Sequence, residues 1–199
     1  MLPSTFVTKC RRVPDGRLRR WSGRLATLRR LGRLDEDQLE ALTSLASWVA
    51  TEHTTALRSS TIHPSAWISP LASLRFTDKV EIGPKATIGP FCAVWGGYEV
   101  WTRIGASALL SPGVVVVAGG HRTDGTGPVR DTGFDERDAT VGDGAWIGAH
   151  ATIVGCRVGA GAVIGTGAVV LSDIPDNAVA VGAPARVVKY RDAEDVVTP

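Results

Sequence analysis

A six-residue beat runs through the chain from Ile62 onward. It is read in IGPKAT, IGPFCA, IGASAL, VGDGAW, IGAHAT, VGAGAV and IGTGAV, which begin at Ile82, Ile88, Ile104, Val141, Ile147, Val158 and Ile164. Each unit opens on a branched aliphatic followed by glycine, usually with a small residue four places after the aliphatic. A helix repeats its face every ~3.6 residues and cannot hold this period in phase. The period is the signature of a hexapeptide β-helix. One short strand per unit points its aliphatic inward, and the glycine and other small residues let the chain turn to the next face. Stacked coils supply one another the backbone hydrogen bonds that a lone strand lacks.

The first sixty residues keep a different period. Leu18, Trp21, Leu25, Leu28 and Leu31 recur at three- and four-residue steps with arginines between them, the spacing of one helical face. Asp35 stands as an N-cap with Gln38 three residues later, before Leu39, Leu42, Leu45, Ala46 and Val49, so a second amphipathic helix is expected from near Glu36. The organisation expected is a basic helical segment over 1–60, with a helical hairpin over 15–57. A β-helical domain follows over 61–199, carrying an external loop at 122–140 and a short C-terminal tail.

Composition narrows the class further. The chain has 199 residues, 44% hydrophobic and 21% charged, within the ordinary globular range. Cys10, Cys92 and Cys156 are odd in number and scattered, so they read as free thiols rather than a disulfide framework. No apolar run reaches the ~20 residues that cross a bilayer, and charges stand where a secretion signal would carry its apolar core. A soluble, cytoplasmic protein is expected. The net charge of +2 hides a basic arm, Lys9 to Arg33, with ten basic residues against the single Asp15. No nucleic-acid motif accompanies it, so it reads as a solvated helix face and no nucleic-acid partner is expected.

The repeat is interrupted once. The apolar run at Val114–Val117 stops at Gly119 and Gly120, sets down His121, and gives way to a polar, glycine-bearing stretch from Arg122 to Thr140 without the beat. Three blocks, IGASALLSPGVVVVAGGH, VGDGAWIGAHATI and VIGTGAVVLSDIPDNAVAVGAPARVVK, carry a resemblance. Through them residues 62–190 resemble the hexapeptide-repeat acyltransferases, and within these the maltose, galactoside and polysaccharide O-acetyltransferases. The resemblance implies a left-handed parallel β-helix assembled as a homotrimer, with active sites in the clefts between subunits and acetyl-CoA as acyl donor. It also implies that the histidine closing the first block, here His121, is catalytic.

The chemistry fits that residue. An alcohol is a poor nucleophile until a base removes its proton, and an imidazole of pKa near ~6.5 does so at neutral pH. The chain has no G-x-S-x-G elbow that would argue for a covalent acyl-enzyme, so direct attack on the thioester is expected. Asp124, three residues on, is either an orienting partner of the ring or a solvated turn residue. Backbone amides near Gly148 and Ala149 are the expected oxyanion donors.

By resemblance the pantetheine arm passes Ala149 and Thr166, and Trp146 borders the donor site or packs between coils. Arg186 and Lys189 of the closing A-P-A-R-V-V-K run are expected near the phosphates. Leu171 and Ser172 stand where many relatives carry Thr-Lys, and the coil at Ile153 to Arg157 is one residue short, which should distort that corner.

On the acceptor side, Trp95 occupies the position nearest to a sugar-binding asparagine of the galactoside and maltose enzymes. Trp95, Tyr98 and Trp101 are expected either to stack on an acceptor or to pack between subunits. His53, His63 and His150 have no metal spacing. A zinc site built on histidines would find only His121 and His150 in the right part of the chain, so no metal is expected. Acyl transfer to an amine, and a non-catalytic β-helical scaffold, stay open beside O-acetylation.

Overall fold

The structure is a computed structural model, and it describes Asp35, 37–42, Ser44, Leu57 and 61–191. The chain divides between Thr54 and Thr55. In the first unit the described residues include a helical stretch over 37–42. The expected capping box is formed: the Gln38 backbone N–H donates to Asp35 Oδ1 at 2.7 Å, and the Asp35 N–H donates to Gln38 Oε1 at 3.2 Å. The rest of the expected hairpin, including the Leu18 to Leu31 face, lies outside the described residues, as do Cys10 and His53.

The second unit is a left-handed parallel β-helix. Its first coil is β1 (Thr61–Ile62), β2 (Trp67–Ile68) and β3 (Ser73–Arg75), and its second is β4 (Val80–Ile82), β5 (Thr87–Ile88) and β6 (Ala93–Trp95). The third is β7 (Thr102–Ile104), β8 (Leu109–Leu110) and β9 (Val115–Val117). The chain then leaves the coil as β10 (Gly119–His121) and β11 (Phe134–Glu136). It returns as β12 (Ala139–Val141), β13 (Trp146–Ile147) and β14 (Thr152–Val154), and coils again as β15 (Arg157–Val158), β16 (Val163–Ile164) and β17 (Val169–Val170). A hairpin of β18 (Ala178–Val181) and β19 (Arg186–Tyr190) closes it.

Stacking produces three faces. One sheet runs β1-β4-β7-β12-β15, the second β2-β5-β8-β13-β16-β18-β19, and the third β3-β6-β9-β14-β17. Pairing within the coils is parallel and in strict register, so that Ile82, Ile104, Val141 and Val158 form one inward ladder. Ile88, Leu110, Ile147 and Ile164 form another, and Val94, Val116, Ile153 and Val170 the third. All of these side chains are buried, each contributing roughly 1.5–3 kcal/mol by leaving water.

The small residues do more than ease a corner. Ala86, Ala108, Ala145, Ala162, Ala151 and Ala168, each four places after an aliphatic, are wholly buried and fill the prism between the ladders. The glycine after each aliphatic is not the turning residue. A Cβ on Gly148 would stand 2.6 Å from the Thr166 nitrogen and 2.7 Å from the Ile164 oxygen, so this glycine is required by the approach of the next coil. The turn itself falls two residues later, where Lys85, Phe91, Ser107 and His150 adopt left-handed φ of 55–61°. The short coil at Ile153 to Arg157 is accommodated by Gly155 at φ 50°, whose N–H still donates to the Val117 carbonyl at 2.9 Å.

Candidate active site

The departure of the chain after β9 is built by backbone contacts. Gly119 adopts φ 149°, and a Cβ added to it would collide with the Asp135 carbonyl and stand 2.7 Å from Glu136 Cα, so no side chain fits. Strands β10 and β11 pair antiparallel, with Gly119 opposite Glu136 and His121 opposite Phe134, and the Arg137 N–H closes the neck onto the Ala118 carbonyl at 2.8 Å. At the far end the Thr132 hydroxyl donates to the carbonyls of Arg122 and Val129. The expected patternless loop over 122–140 is thus a hairpin from Gly119 to Glu136, and Ala139 and Thr140 already belong to β12.

His121 ends β10 with its ring exposed. Among the described residues the imidazole has no hydrogen-bond or ion-pair partner. It stacks on Phe134, with ring centroids 4.7 Å apart and planes at 33°. Asp124 does not orient it. Both Asp124 oxygens accept from Arg122, at 2.9 and 2.7 Å, and that guanidinium holds the carboxyl below the ordinary carboxylate range.

The three aromatic residues expected on the acceptor side separate into two groups. Tyr98 stacks on Phe134 at 4.6 Å and on Phe76 at 5.2 Å, so a run of rings leads from Phe76 through Tyr98 and Phe134 to His121. Trp95 and Trp101 are half-buried and face cations. Arg75 lies over the Trp95 ring, whose Nε1 donates to Ser73 Oγ, and Lys79 and Arg103 both lie over Trp101. The Trp101 N–H donates to Asp138 Oδ1 at 2.8 Å; this bond first, and Arg103 second, hold the Asp138 carboxyl low.

The expected donor-side residues belong to the second sheet and its edge. Trp146, Val163, Val179 and Lys189 are successive register partners across β13, β16, β18 and β19, a row that spans about 14 Å at ~4.8 Å per strand. Arg186 opens β19, opposite Val181, with one Nη donating to the Ala185 carbonyl. Trp146 is 48% exposed, its Nε1 donating to Ser111 Oγ at 3.0 Å, so the indole lies on the outer surface of the sheet rather than inside a coil. At the corner after β13 the Gly148 N–H is bonded to the Ile164 carbonyl at 2.8 Å and has no hydrogen left for an oxyanion. The Ala149 N–H has no partner among the described residues, and Thr166 beside it is exposed.

His121 and this row therefore sit on different parts of the prism. The hairpin leaves at the corner between the third and first sheets, and the row runs along the second. His150 is an exposed corner residue, its ring against Gly113, and among the described residues no cluster of three His, Cys, Asp or Glu is arranged to hold a metal. Neither the repeat nor the motifs point to Phe134 or Glu136. Phe134 is the one aromatic residue in the polar stretch 122–140, which is the signal that marks it.

No protein-family profile matches the chain. It is 37% identical over 121 residues to a probable acetyltransferase of Mycobacterium tuberculosis, covering 60% of this chain and 38% of that protein. It is 31% identical over 137 residues to the galactoside O-acetyltransferase of Escherichia coli, covering 68% of this chain and 66% of that one. Among solved structures, a hexapeptide-repeat acetyltransferase of Vibrio cholerae complexed with acetyl coenzyme A shares the fold. Its TM-score is 0.62 at 21% identity, over 79% of this chain and 91% of that one. The repeat, the fold and these relatives define one class, the left-handed β-helical proteins. Within it, the chain belongs to the hexapeptide-repeat acyltransferase family. It spans about a third to two thirds of the length of the curated relatives named.

Proposed function

We propose that this protein transfers an acetyl group from acetyl-CoA to a hydroxyl of a sugar, a polysaccharide unit or a glycosylated small molecule, with His121 as general base in a homotrimer. The observation that carries the reading is an exposed imidazole, free of hydrogen-bond and ion-pair partners among the described residues, held at the end of β10. Its ring nitrogen takes the proton of the acceptor hydroxyl as that oxygen attacks the thioester carbonyl. When the tetrahedral intermediate collapses, the C–S bond breaks and the imidazolium returns the proton to the departing thiolate.

The Ala149 N–H, without a partner among the described residues, is the donor suited to the oxyanion. Trp146 and Thr166 would border the pantetheine arm, passing Gly148 and Ala149, and Lys189 and Arg186 at the far end of the row would meet the phosphates. His121 and the row belong to different parts of one prism, so in this reading the site would be built between two copies of the chain, as a trimer allows. The carbohydrate acceptor rests on the likeness to the galactoside enzyme.

Thiol release from acetyl-CoA, measured against a panel of sugars and amino sugars, tests this. Turnover is expected with hydroxyl acceptors. His121→Ala should lower it at least a hundredfold, the lower end of general-base contributions and about 3 kcal/mol of barrier, with trimer and CoA binding intact. Turnover confined to amines would replace O- by N-acetylation, and undiminished turnover in the alanine variant would remove His121 as the base.

A further inference from the structure

We propose that Phe134 is the positioning residue of His121: its ring, set between Tyr98 and the imidazole, holds the base in the orientation that proton abstraction needs. The proposal rests on His121 being the base. A catalytic imidazole is ordinarily aimed by a hydrogen bond to its second nitrogen. Here the nearest carboxylate in sequence, Asp124, is occupied by Arg122, and among the described residues the ring pair that the imidazole makes is with Phe134.

That contact is set by two strands rather than by one flexible side chain. His121 and Phe134 are cross-strand partners of β10 and β11, where directly opposite side chains meet. Phe134 is in turn fixed from behind. Its ring meets Tyr98 at 4.6 Å, Tyr98 meets Phe76 at 5.2 Å, and Phe76 belongs to the corner of the coil between β3 and β4.

A second tie keeps the stack in place. Glu136, two residues beyond Phe134, accepts the Tyr98 N–H on both oxygens, at 3.0 and 3.1 Å. Gly97 makes room for it, since a Cβ there would lie 2.9 Å from Glu136 Oε1. The hairpin is thus joined to the 96–99 corner through Glu136 and through the rings, and the imidazole is the last member of the run. The three centroid separations lie within the roughly 4.5–7 Å range of favourable aromatic contact, and a catalytic group misplaced by ~1 Å can lose about a hundredfold in rate.

The test compares Phe134→Leu, which keeps apolar bulk but removes the ring, with Phe134→Tyr, which keeps it. NMR of the His121 ring protons reads the ring contact without turnover. In the native protein and the Tyr variant they should carry the shift of a stacked neighbour, and in the Leu variant that shift should disappear. With methyl β-galactoside as acceptor probe, kcat should fall roughly ten- to a hundredfold in the Leu variant, with the KM for acetyl-CoA unchanged and the Tyr variant near native.

A ring-proton spectrum indifferent to Phe134→Leu would overturn the proposal. So would a rise in acceptor KM alone with kcat retained, which would make Phe134 a binding residue. His121→Ala measured alongside separates the two readings. If it keeps turnover, the general base is wrong; if it loses turnover while Phe134→Leu does not, only the positioning role is.

Discussion

The coils and the hairpin that leaves them are stabilised by opposite means. In the coils the inward aliphatics stack in buried ladders, and the strand amides pair with the neighbouring coil. From Gly120 to Asp131 the hairpin buries nothing, and it meets the coil through one carboxylate and one run of rings. The regular part is therefore insensitive to which polar residues decorate it, and the irregular part insensitive to almost everything except its few ties. A chemical group that has to meet a substrate belongs on the second kind of structure, held by a scaffold of the first kind.

The largest expected effect is to remove a rung. Ile147 is wholly buried between Leu110 and Ile164, so Ile147→Ala should cost about 2–5 kcal/mol. Thermal melting should fall by several degrees or more. His121→Ala, at the exposed end of β10, should leave the melt within about 0.5 kcal/mol of native while lowering turnover at least a hundredfold. Similar losses of stability in both would contradict the division.

A smaller effect comes from two glycines. At Gly148 an added Cβ meets backbone of the next coil at 2.6 Å, whereas at Gly120 it meets nothing within 4 Å. Gly148→Ala should destabilise by about 1–3 kcal/mol through overpacking. Gly120→Ala, in an extended strand with free space, should be neutral or mildly stabilising. Differential scanning calorimetry of the two variants separates close approach from backbone freedom as the reason for the glycine in each place.

What could be read in the sequence follows the same line. Ile82, Ile104, Val141 and Val158 announce their ladder because each repeats one local environment, and a period carries that information along the chain. The capping box at Asp35 and Gln38 was legible because cap and partner are three residues apart. The position of His121 before an interruption was legible too, but its surroundings were not. The contact of Phe134 with Tyr98 joins residues thirty-six apart, from a coil corner and from a hairpin that has no repeat, so neither period nor spacing could announce it. Asp124, near His121 in sequence, was the natural partner to expect, and the closer Arg122 competes for it with a bidentate pair.

The smallest effect lies where the two regions join. Asp138, the first residue after the hairpin's neck, accepts the Trp101 N–H and pairs with Arg103, and these partners depress its carboxyl pKa. A depressed carboxylate contributes stability that is present above the unfolded value of about 4 and is lost as pH falls through the lower folded value. The side chain is 48% exposed, so solvent screening holds the contribution to about 1 kcal/mol or less. Asp138→Asn should therefore lower the melting temperature at pH 7 by no more than about 4 °C, and the gap to the native protein should close on going from pH 5 toward pH 2. A gap that stayed constant across that range would mean that Asp138 holds the junction by shape rather than by charge, and that the hairpin's attachment owes nothing to ionisation at this point.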